Sequence, residues 1–414
     1  MIKVSRAELS GIIDAIPSKS YAHRALILAA LCNSSTTLFG KSTGVDTDAT
    51  VGVLSALGAN IQSTDFGYVV EPIKNLKNNI SLNVKESGST LRFILPLLSV
   101  LGISCHIDGE GRLKNRPNKE LIETLSMAGT SFDNTTLPIN MSGKFSAKSV
   151  AVRADISSQF VSGLLMAMQL LPYSSDIHLI GELKSKNYVD ITISVMEAFG
   201  AKITKTAYGY SLCGGGYTSP QKYTIEGDWS NSAFWLVAGA IGNGITVNNL
   251  NINSLQGDRE IVDILKKANA TITISENSVK VEKSDLIAFE CDAENIPDLV
   301  PILSVLASFA NGESLLTSVE RLRFKESDRI QTSLDMLLSA NVNAFYDELG
   351  IHIIGSTHKA NTIQGANDHR IVMSGCIMAT NTEGVTTITD ENAVNKSYQA
   401  FYEDFCKLGG IINA

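Results

Sequence analysis

Apolar residues come in solid blocks along this chain, and a short polar stretch introduces each block. Six times small polar residues give way to an almost wholly apolar run: near Ser20, Ser89, Ser158, Ser230, Asp298 and Asp368, leading into residues 25–31, 91–101, 160–171, 233–241, 299–307 and 371–379. Such runs behind Ser or Asp predict helices, because these side chains satisfy the free amides of a first helical turn. A helix apolar on every side belongs in the centre of a domain. The starts recur roughly every 70 residues, a period too long for a solenoid repeat.

A second, amphipathic helix follows each apolar one and stops at small residues: Leu57-Gly58-Ala59, Ala128-Gly129, Phe199-Gly200-Ala201, Ala268-Asn269-Ala270, Ser339-Ala340-Asn341 and Leu408-Gly409-Gly410. Gly or Asn just past a helix is its usual stop. Alternating strand pairs come next, as in residues 201–205 turning near Gly209 into 210–212. Each unit then reads as β-α-β-α-β-β. Six units in 414 residues suggest two α/β domains of three units each. The third and fourth units meet near residues 223–228, and the strand Ile2-Lys3-Val4-Ser5 precedes the first unit. A return connection near residues 12–17 would let that strand join the C-terminal half. The expected domains are therefore 14–227, and 1–13 with 228–414.

Composition narrows the partners. A hydrophobic share of 44%, a charged share of 18% and a net charge of −8 fit a folded protein and give no reason to expect nucleic acid or an anionic membrane. The six cysteines show no paired spacing, so neither a zinc site nor a disulfide framework is indicated, and a reducing cytoplasm fits. No apolar run is long enough to span a bilayer, and the N-terminus lacks a signal-peptide core.

The charged residues that interrupt the pattern sit at the helix starts. Pro17-Ser18-Lys19-Ser20-Tyr21-Ala22-His23-Arg24 reads as an anion site: a capped helix start whose amides point outward beside Lys19 and Ser20, with Arg24 one turn on. Similar clusters are 86–92, 114–117, 157–159, 184–186, 325–329, 368–370 and Lys396. If equivalent helices point one way, their positive ends and cations converge, and two such lobes face to face would form a cleft for small, multiply anionic ligands. The plain alternative is a set of solvated helix caps.

These residues also carry a resemblance that covers the whole chain. PSKSYAHRALILAA from Pro17, ESGSTLRF from Glu86, RPNKELIETL from Arg116, SSQFVSGLL from Ser157, GDWSNSAFWL from Gly227, IPDLVPIL from Ile296, RLRFKESDR from Arg321 and NDHRIVMSG from Asn367 resemble, in this order, the 5-enolpyruvylshikimate-3-phosphate (EPSP) synthases. The resemblance implies a two-domain inside-out α/β barrel, each domain of three βαβαββ units, with the active site in the interdomain cleft. It implies a monomer that transfers the enolpyruvyl group of phosphoenolpyruvate to the 5-hydroxyl of shikimate 3-phosphate and releases phosphate, without metal or organic cofactor.

Carried over position by position, it places Lys19 between both substrates, and Ser20, Arg24, Ser157, Ser158, Gln159, Ser185, Asp298 and Lys325 on shikimate 3-phosphate, with Tyr188 near the ring. Gly88, Arg116, Gln159, Arg329, Arg370 and Lys396 would line the phosphoenolpyruvate site, where a missing side chain at Gly88 lets the ligand approach backbone amides. The chemistry needs a base for the 5-hydroxyl, an acid for the methylene carbon and positive charge where phosphate departs. Asp298, heading an apolar helix after Pro297, is chosen as base, Glu326 as acid, and Lys19 as the group that assists phosphate. Their plain alternatives are a helix cap for Asp298 and an ion pair with Lys325 or Arg329 for Glu326.

Three departures stand out. Glu86 occupies a place where many relatives have Asn, Phe93 replaces a proline found in some, and Arg321 and Arg323 stand where some carry other polar residues. Gly88 and Phe93 bear on discrimination against glyphosate, which occupies the phosphoenolpyruvate site in this family. Two rivals share the scaffold. A transferase acting on UDP-N-acetylglucosamine has Asn after the motif lysine and a reactive loop cysteine, whereas here Ser20 follows Lys19 and residues 108–116 contain no cysteine. A non-catalytic anion-binding protein would have no use for Asp298 and Glu326 in an anion site.

Overall fold

The computed structural model describes residues 1–413. The chain divides into a continuous unit, Pro17–Glu226, and a discontinuous unit, Met1–Ile16 with Gly227–Ala414. The first crossing falls after Ile16 rather than after residue 13, because Gly11–Asp14 is a strand paired in parallel with Ile245–Asn248, Asp14 opposite Asn248. The second falls after Glu226.

The continuous unit contains helices α1 (Lys19–Ala30), α2 (Val45–Leu57), α3 (Gly88–Leu101), α4 (Lys119–Met127), α5 (Ser158–Met168) and α6 (Lys186–Ala198). The discontinuous unit contains α7 (Trp229–Ile241), α8 (Ile261–Lys267), α9 (Val300–Ser308), α10 (Arg329–Ser339), α11 (His369–Ala379) and α12 (Phe401–Lys407). The odd-numbered helices are the apolar blocks. Every residue of α7, α9 and α11 is buried, and so are nearly all of α1, α3 and α5. Each fully buried Leu, Ile or Phe contributes roughly 1.5–3 kcal/mol, so these helices supply most of each core. The even-numbered helices bury one face only. Each stops where the chain turns left-handed, at Gly58, Gly129, Gly200, Asn269, Asn341 and Gly409, residues that tolerate positive φ.

Six four-stranded sheets accompany the helices, three in each unit. All share one pattern: a parallel pair followed by two antiparallel neighbours. In one, Ser149–Arg153 runs parallel to Ser175–Ile180, which pairs antiparallel with Gly209–Leu212 and through it with Ile203–Thr206. Gly209 opens its strand instead of forming the turn. One sheet is closed by the chain's two ends: Ile2–Ser5 lies between Val385–Ile388 and Ile411–Asn413, antiparallel to both. This is a mixed α/β architecture of repeated units.

Helices α3 and α5 approach closely for a local reason. Pro96 inside α3 has no N–H to give to the Arg92 carbonyl, so that carbonyl is left exposed on the helix surface. Gly163 of α5 fits against it: a Cβ there would lie 2.4 Å from the Arg92 oxygen and 3.1 Å from the Pro96 ring. Gly163→Ala should therefore lower unfolding stability by roughly 1–3 kcal/mol, the scale of overpacking a core. Gly52, within α2, has nothing within 4 Å of its would-be Cβ. Gly52→Ala should stabilise by roughly 0.4–1 kcal/mol in the same urea titration; equal effects of the two substitutions would remove the close-approach account.

Candidate active site

In the continuous unit, side-chain bonds tie several helix starts together. Lys19 opens α1 and its Nζ lies 2.9 Å from Asp46 Oδ2, in the first turn of α2. The motif lysine is thus paired within the protein, with a carboxylate that sequence spacing did not single out. Ser20 supplies its carbonyl to Arg24 Nη1 at 2.7 Å. Arg24 is buried, and its other donors reach Thr192 Oγ1 from Nε at 2.7 Å and the Tyr188 carbonyl from Nη2 at 3.0 Å. Its guanidinium also lies over the Phe93 ring at 4.9 Å. Phe93 therefore underpins Arg24, a contact that proline at that position would lack.

Every one of these partners of Arg24 is neutral. Burial pulls the guanidinium down to about 10, which still leaves it charged at neutral pH. A buried cation whose hydrogen bonds end on neutral oxygens keeps its charge uncompensated, and that favours an anion beside it.

Ser157 caps α5 by accepting the Gln159 amide at 3.3 Å, and Ser158 and Gln159 form the first turn. Gln159 bridges outward: its Oε1 accepts from Arg92 Nη1 at 2.8 Å and its Nε2 donates to Ser89 Oγ at 2.8 Å. Arg92 is itself held by Asn118 Oδ1 and the Pro117 carbonyl, so it fixes the orientation of the Gln159 amide. Ser185 precedes α6 in a left-handed conformation with φ of 50°, uncommon for a residue with a side chain. Gly88 begins α3 against Arg116, where a Cβ would come 2.6 Å from Nη1. Arg116 follows the 3-10 turn Gly111–Asn115, and the Glu86 side chain packs on Gly111 at the start of that turn.

The discontinuous unit gathers the carboxylates. Asp298 is not the cap of α9. The helix begins at Val300 with Pro301 in its first turn, and Asp298 lies in the turn before it. Its carboxylate takes Arg329 Nη1 at 2.7 Å, Lys325 Nζ at 3.3 Å and Arg370 Nη2 at 3.4 Å. Glu326 Oε2 accepts from Arg329 Nη2 at 2.7 Å, and both Asp368 oxygens accept from Arg329, at 2.8 and 3.2 Å. Arg329 is 1% exposed and spends all but one Nη1 hydrogen on these three carboxylates. This corrects the picture of an open positive end: Lys325, Arg329 and Arg370 stand against Asp298, Glu326 and Asp368, charge for charge. Lys396 donates to the Asn367 carbonyl at 2.7 Å, just before α11.

Electrostatics follow from burial and these pairs. Burial lowers the Lys325 ammonium below its ordinary value, opposed by Asp298. Burial would lower Arg329 too, but Asp368, Glu326 and Asp298 hold it above its ordinary value. Burial would raise Asp368, and the Arg329 charge outweighs that and holds it low. Asp258, buried in the 3-10 turn Gly257–Glu260, is pushed up to about 7 by burial, with Asp298 adding to the effect. Among the described residues no group of three or more His, Cys, Asp or Glu could hold a metal ion, and no helix is long and apolar enough to cross a membrane.

The acceptors Asp46, Thr192 and Asp368 and the donor Arg92 are polar partners to which the sequence assigned no role. The signal for the acceptors was indirect: a buried cation needs one, and a neighbouring helix start or face with Asp or Thr can supply it.

Comparison with known proteins gives one answer. The family model described as EPSP synthase (3-phosphoshikimate 1-carboxyvinyltransferase) matches residues 4–405. The chain is 36% identical to a 3-phosphoshikimate 1-carboxyvinyltransferase of Clostridium kluyveri, covering 100% of this chain and 98% of the relative. It is 35% identical to the protein so named in Methanocorpusculum labreanum, covering 98% of each. The fold matches a solved EPSP synthase of Acinetobacter baumannii with a TM-score of 0.83 at 24% identity, covering 100% of both chains.

The Arg329 cluster sets a stability test. Arg329→Met leaves three carboxylates without their shared cation and should cost about 3–5 kcal/mol in urea unfolding at neutral pH. The acid dependence follows from Asp368. A carboxyl depressed in the folded state stabilises above its unfolded value of about 3.9 and loses that contribution as pH falls through its folded value. The parent should therefore weaken progressively below about pH 4, and Asp368→Asn should flatten that decline; parallel curves would assign the acid loss elsewhere.

Proposed function

The chain belongs to the EPSP synthase family, and on that footing we propose which of its residues carry the transfer. It is a transferase of the shikimate route to aromatic compounds: the enolpyruvyl group of phosphoenolpyruvate passes to the 5-hydroxyl of shikimate 3-phosphate, and phosphate is released. The named relatives favour this activity over UDP-N-acetylglucosamine transfer and over a binding protein without catalysis.

The observation that carries the residue assignment is Arg24, a buried cation with neutral partners beside Lys19 and Ser20. In our reading Arg24, Ser20, Ser157, Ser158, Gln159 and Ser185 bind shikimate 3-phosphate from the continuous unit. Lys325 and Asp298 are further shikimate 3-phosphate residues in this reading. Gly88 and Arg116, with Gln159 and Lys19, receive phosphoenolpyruvate, and Arg370, Lys396 and the remaining hydrogen of Arg329 add positive charge. Asp298 takes the 5-hydroxyl proton as oxygen bonds to the central carbon of phosphoenolpyruvate. Glu326 protonates the methylene carbon. Loss of that proton and departure of phosphate, aided by Lys19, restore the double bond on the product.

The ion pairs give this scheme a physical trigger. An arriving anion competes with Asp298 and Glu326 for Lys325, Arg329 and Arg370, and each bond it takes frees a carboxylate oxygen for proton transfer. The proposal includes a monomer and a cytoplasmic setting; six cysteines without paired spacing suit a reducing compartment.

Phosphate release from purified protein, given phosphoenolpyruvate with shikimate 3-phosphate and in parallel with UDP-N-acetylglucosamine, tests the activity. Asp298→Asn should lower turnover roughly 100-fold or more while shikimate 3-phosphate binding stays within about tenfold. Near-normal turnover would exclude Asp298 as the base. Gly88→Ala should push the Arg116 guanidinium aside and raise the KM for phosphoenolpyruvate several-fold, and the inhibition constant for glyphosate more. Unchanged constants would reduce Gly88 to a turn residue.

A further inference from the structure

A line of buried polar side chains runs from the Lys19–Arg24 turn to the cap of α3, and the transfer chemistry leaves it unused. His23 Nδ1 lies 2.7 Å from Thr50 Oγ1, which lies 2.7 Å from Thr90 Oγ1; the Thr90 hydroxyl donates to Ser87 Oγ at 2.7 Å. His23 is 1% exposed and the other three 0%. Ser87 Oγ also accepts the Thr90 amide at 3.2 Å and so caps α3 directly before Gly88.

The bonds fix their own direction. Each hydroxyl carries one hydrogen. The Thr90 hydrogen goes to Ser87 Oγ or, at the longer 3.4 Å, to the Asp46 carbonyl; either way Thr50 must donate to Thr90, and His23 must donate from Nδ1 to Thr50. Burial, then Lys19 and Arg24, hold the His23 pKa well below its ordinary value, so the ring is neutral and has one N–H to give. Its Nε2 has no hydrogen-bond partner, which leaves the Nδ1 bond as the contact that orients the ring.

Packing alone does not ask for these hydroxyls, since Val fills nearly the same space as Thr without a polar atom to satisfy. A hydrogen bond does add a fixed separation, and here three in series span α1, α2 and α3. The α1 end is anchored independently, because Arg24 bonds to Thr192 and the Tyr188 carbonyl on α6. The cap of α3 is the end that the series can set.

We propose that the His23–Thr50–Thr90–Ser87 relay positions the first turn of α3, and with it Gly88 and the phosphoenolpyruvate subsite, relative to Lys19 and Arg24 on α1. Thr50 is the positioning residue at its centre. The proposal rests on the assignment of Gly88 and Arg24 made above.

Two substitutions separate the relay from packing. Thr50→Val keeps the shape and removes the hydroxyl; Thr50→Ser keeps the hydroxyl and removes a methyl. The relay requires Thr50→Val to raise the KM for phosphoenolpyruvate about fivefold or more, with that for shikimate 3-phosphate within about twofold, and Thr50→Ser to stay near the parent for both. A packing role gives the opposite order, Ser the more damaging in thermal unfolding and neither selective for phosphoenolpyruvate, and would overturn the proposal. Should Thr50→Val not fold, Ser87→Ala breaks the far end and must show the same selective rise. Parent turnover tests the functional assignment by itself. Hydrogen exchange at the amides of residues 88–91 reads the relay without turnover: faster exchange in Thr50→Val supports it, and unchanged protection overturns it.

Discussion

One buried guanidinium holds the acidic half of the chemistry together. Arg329 starts α10 and reaches Asp298 before α9, Glu326 in its own turn and Asp368 at the cap of α11. Three loops that are distant in sequence are thereby fixed on one planar fork, whose geometry dictates where each carboxylate oxygen sits. Removing charges from water is costly, and the cluster is sustained because each charge finds its partner at hydrogen-bond distance. Ser327 adds a hydroxyl to Asp368 at 2.9 Å, and Asp368 still accepts the Arg370 amide. The catalytic carboxylates of this proposal therefore owe their positions to a residue that has little left to offer a substrate.

The continuous unit solves the reverse problem. There Arg24 is surrounded by a threonine hydroxyl, two carbonyls and an aromatic face. Its charge is held ready rather than spent. The two units thus divide the electrostatic labour: one stores uncompensated positive charge, and the other stores carboxylates already balanced by cations. In the proposed scheme the first offers a substrate anion charge that is already available, whereas the second yields a cation only as one of its carboxylates is released.

Much of the fold was legible because it rests on blocks of local pattern. The apolar runs, their polar starts and the Gly or Asn stops at 58, 129, 200, 269, 341 and 409 are written within a dozen or so residues each. The six-fold recurrence then implied the repeat. The pairings were not legible, since Lys19 meets Asp46 and Arg24 meets Thr192 across 27 and 168 positions that no periodicity connects. The same limit explains Asp298: Pro297 before it suggested a cap, but Pro301 suits a first helical turn and moves the helix start to Val300. Positive charge at helix starts was foreseeable, whereas its neutralisation by Asp368 depended on the loops coming together.

The sheet that joins Ile2–Ser5 to Ile411–Asn413 has a consequence for how the protein is made. A ribosome releases Ile2–Ser5 nearly four hundred residues before either of its neighbours, Val385–Ile388 and Ile411–Asn413, so that strand must wait unpaired until they are made. Pro17–Glu226, by contrast, is complete as a continuous segment and carries its own core. Domains of this kind fold as units while the chain emerges. Sealing the last sheet then closes a very long loop, a non-local step whose entropic cost grows only slowly with length but which comes late. Ile2–Ser5 thus acts as a clasp that cannot close before both of its neighbours have been made.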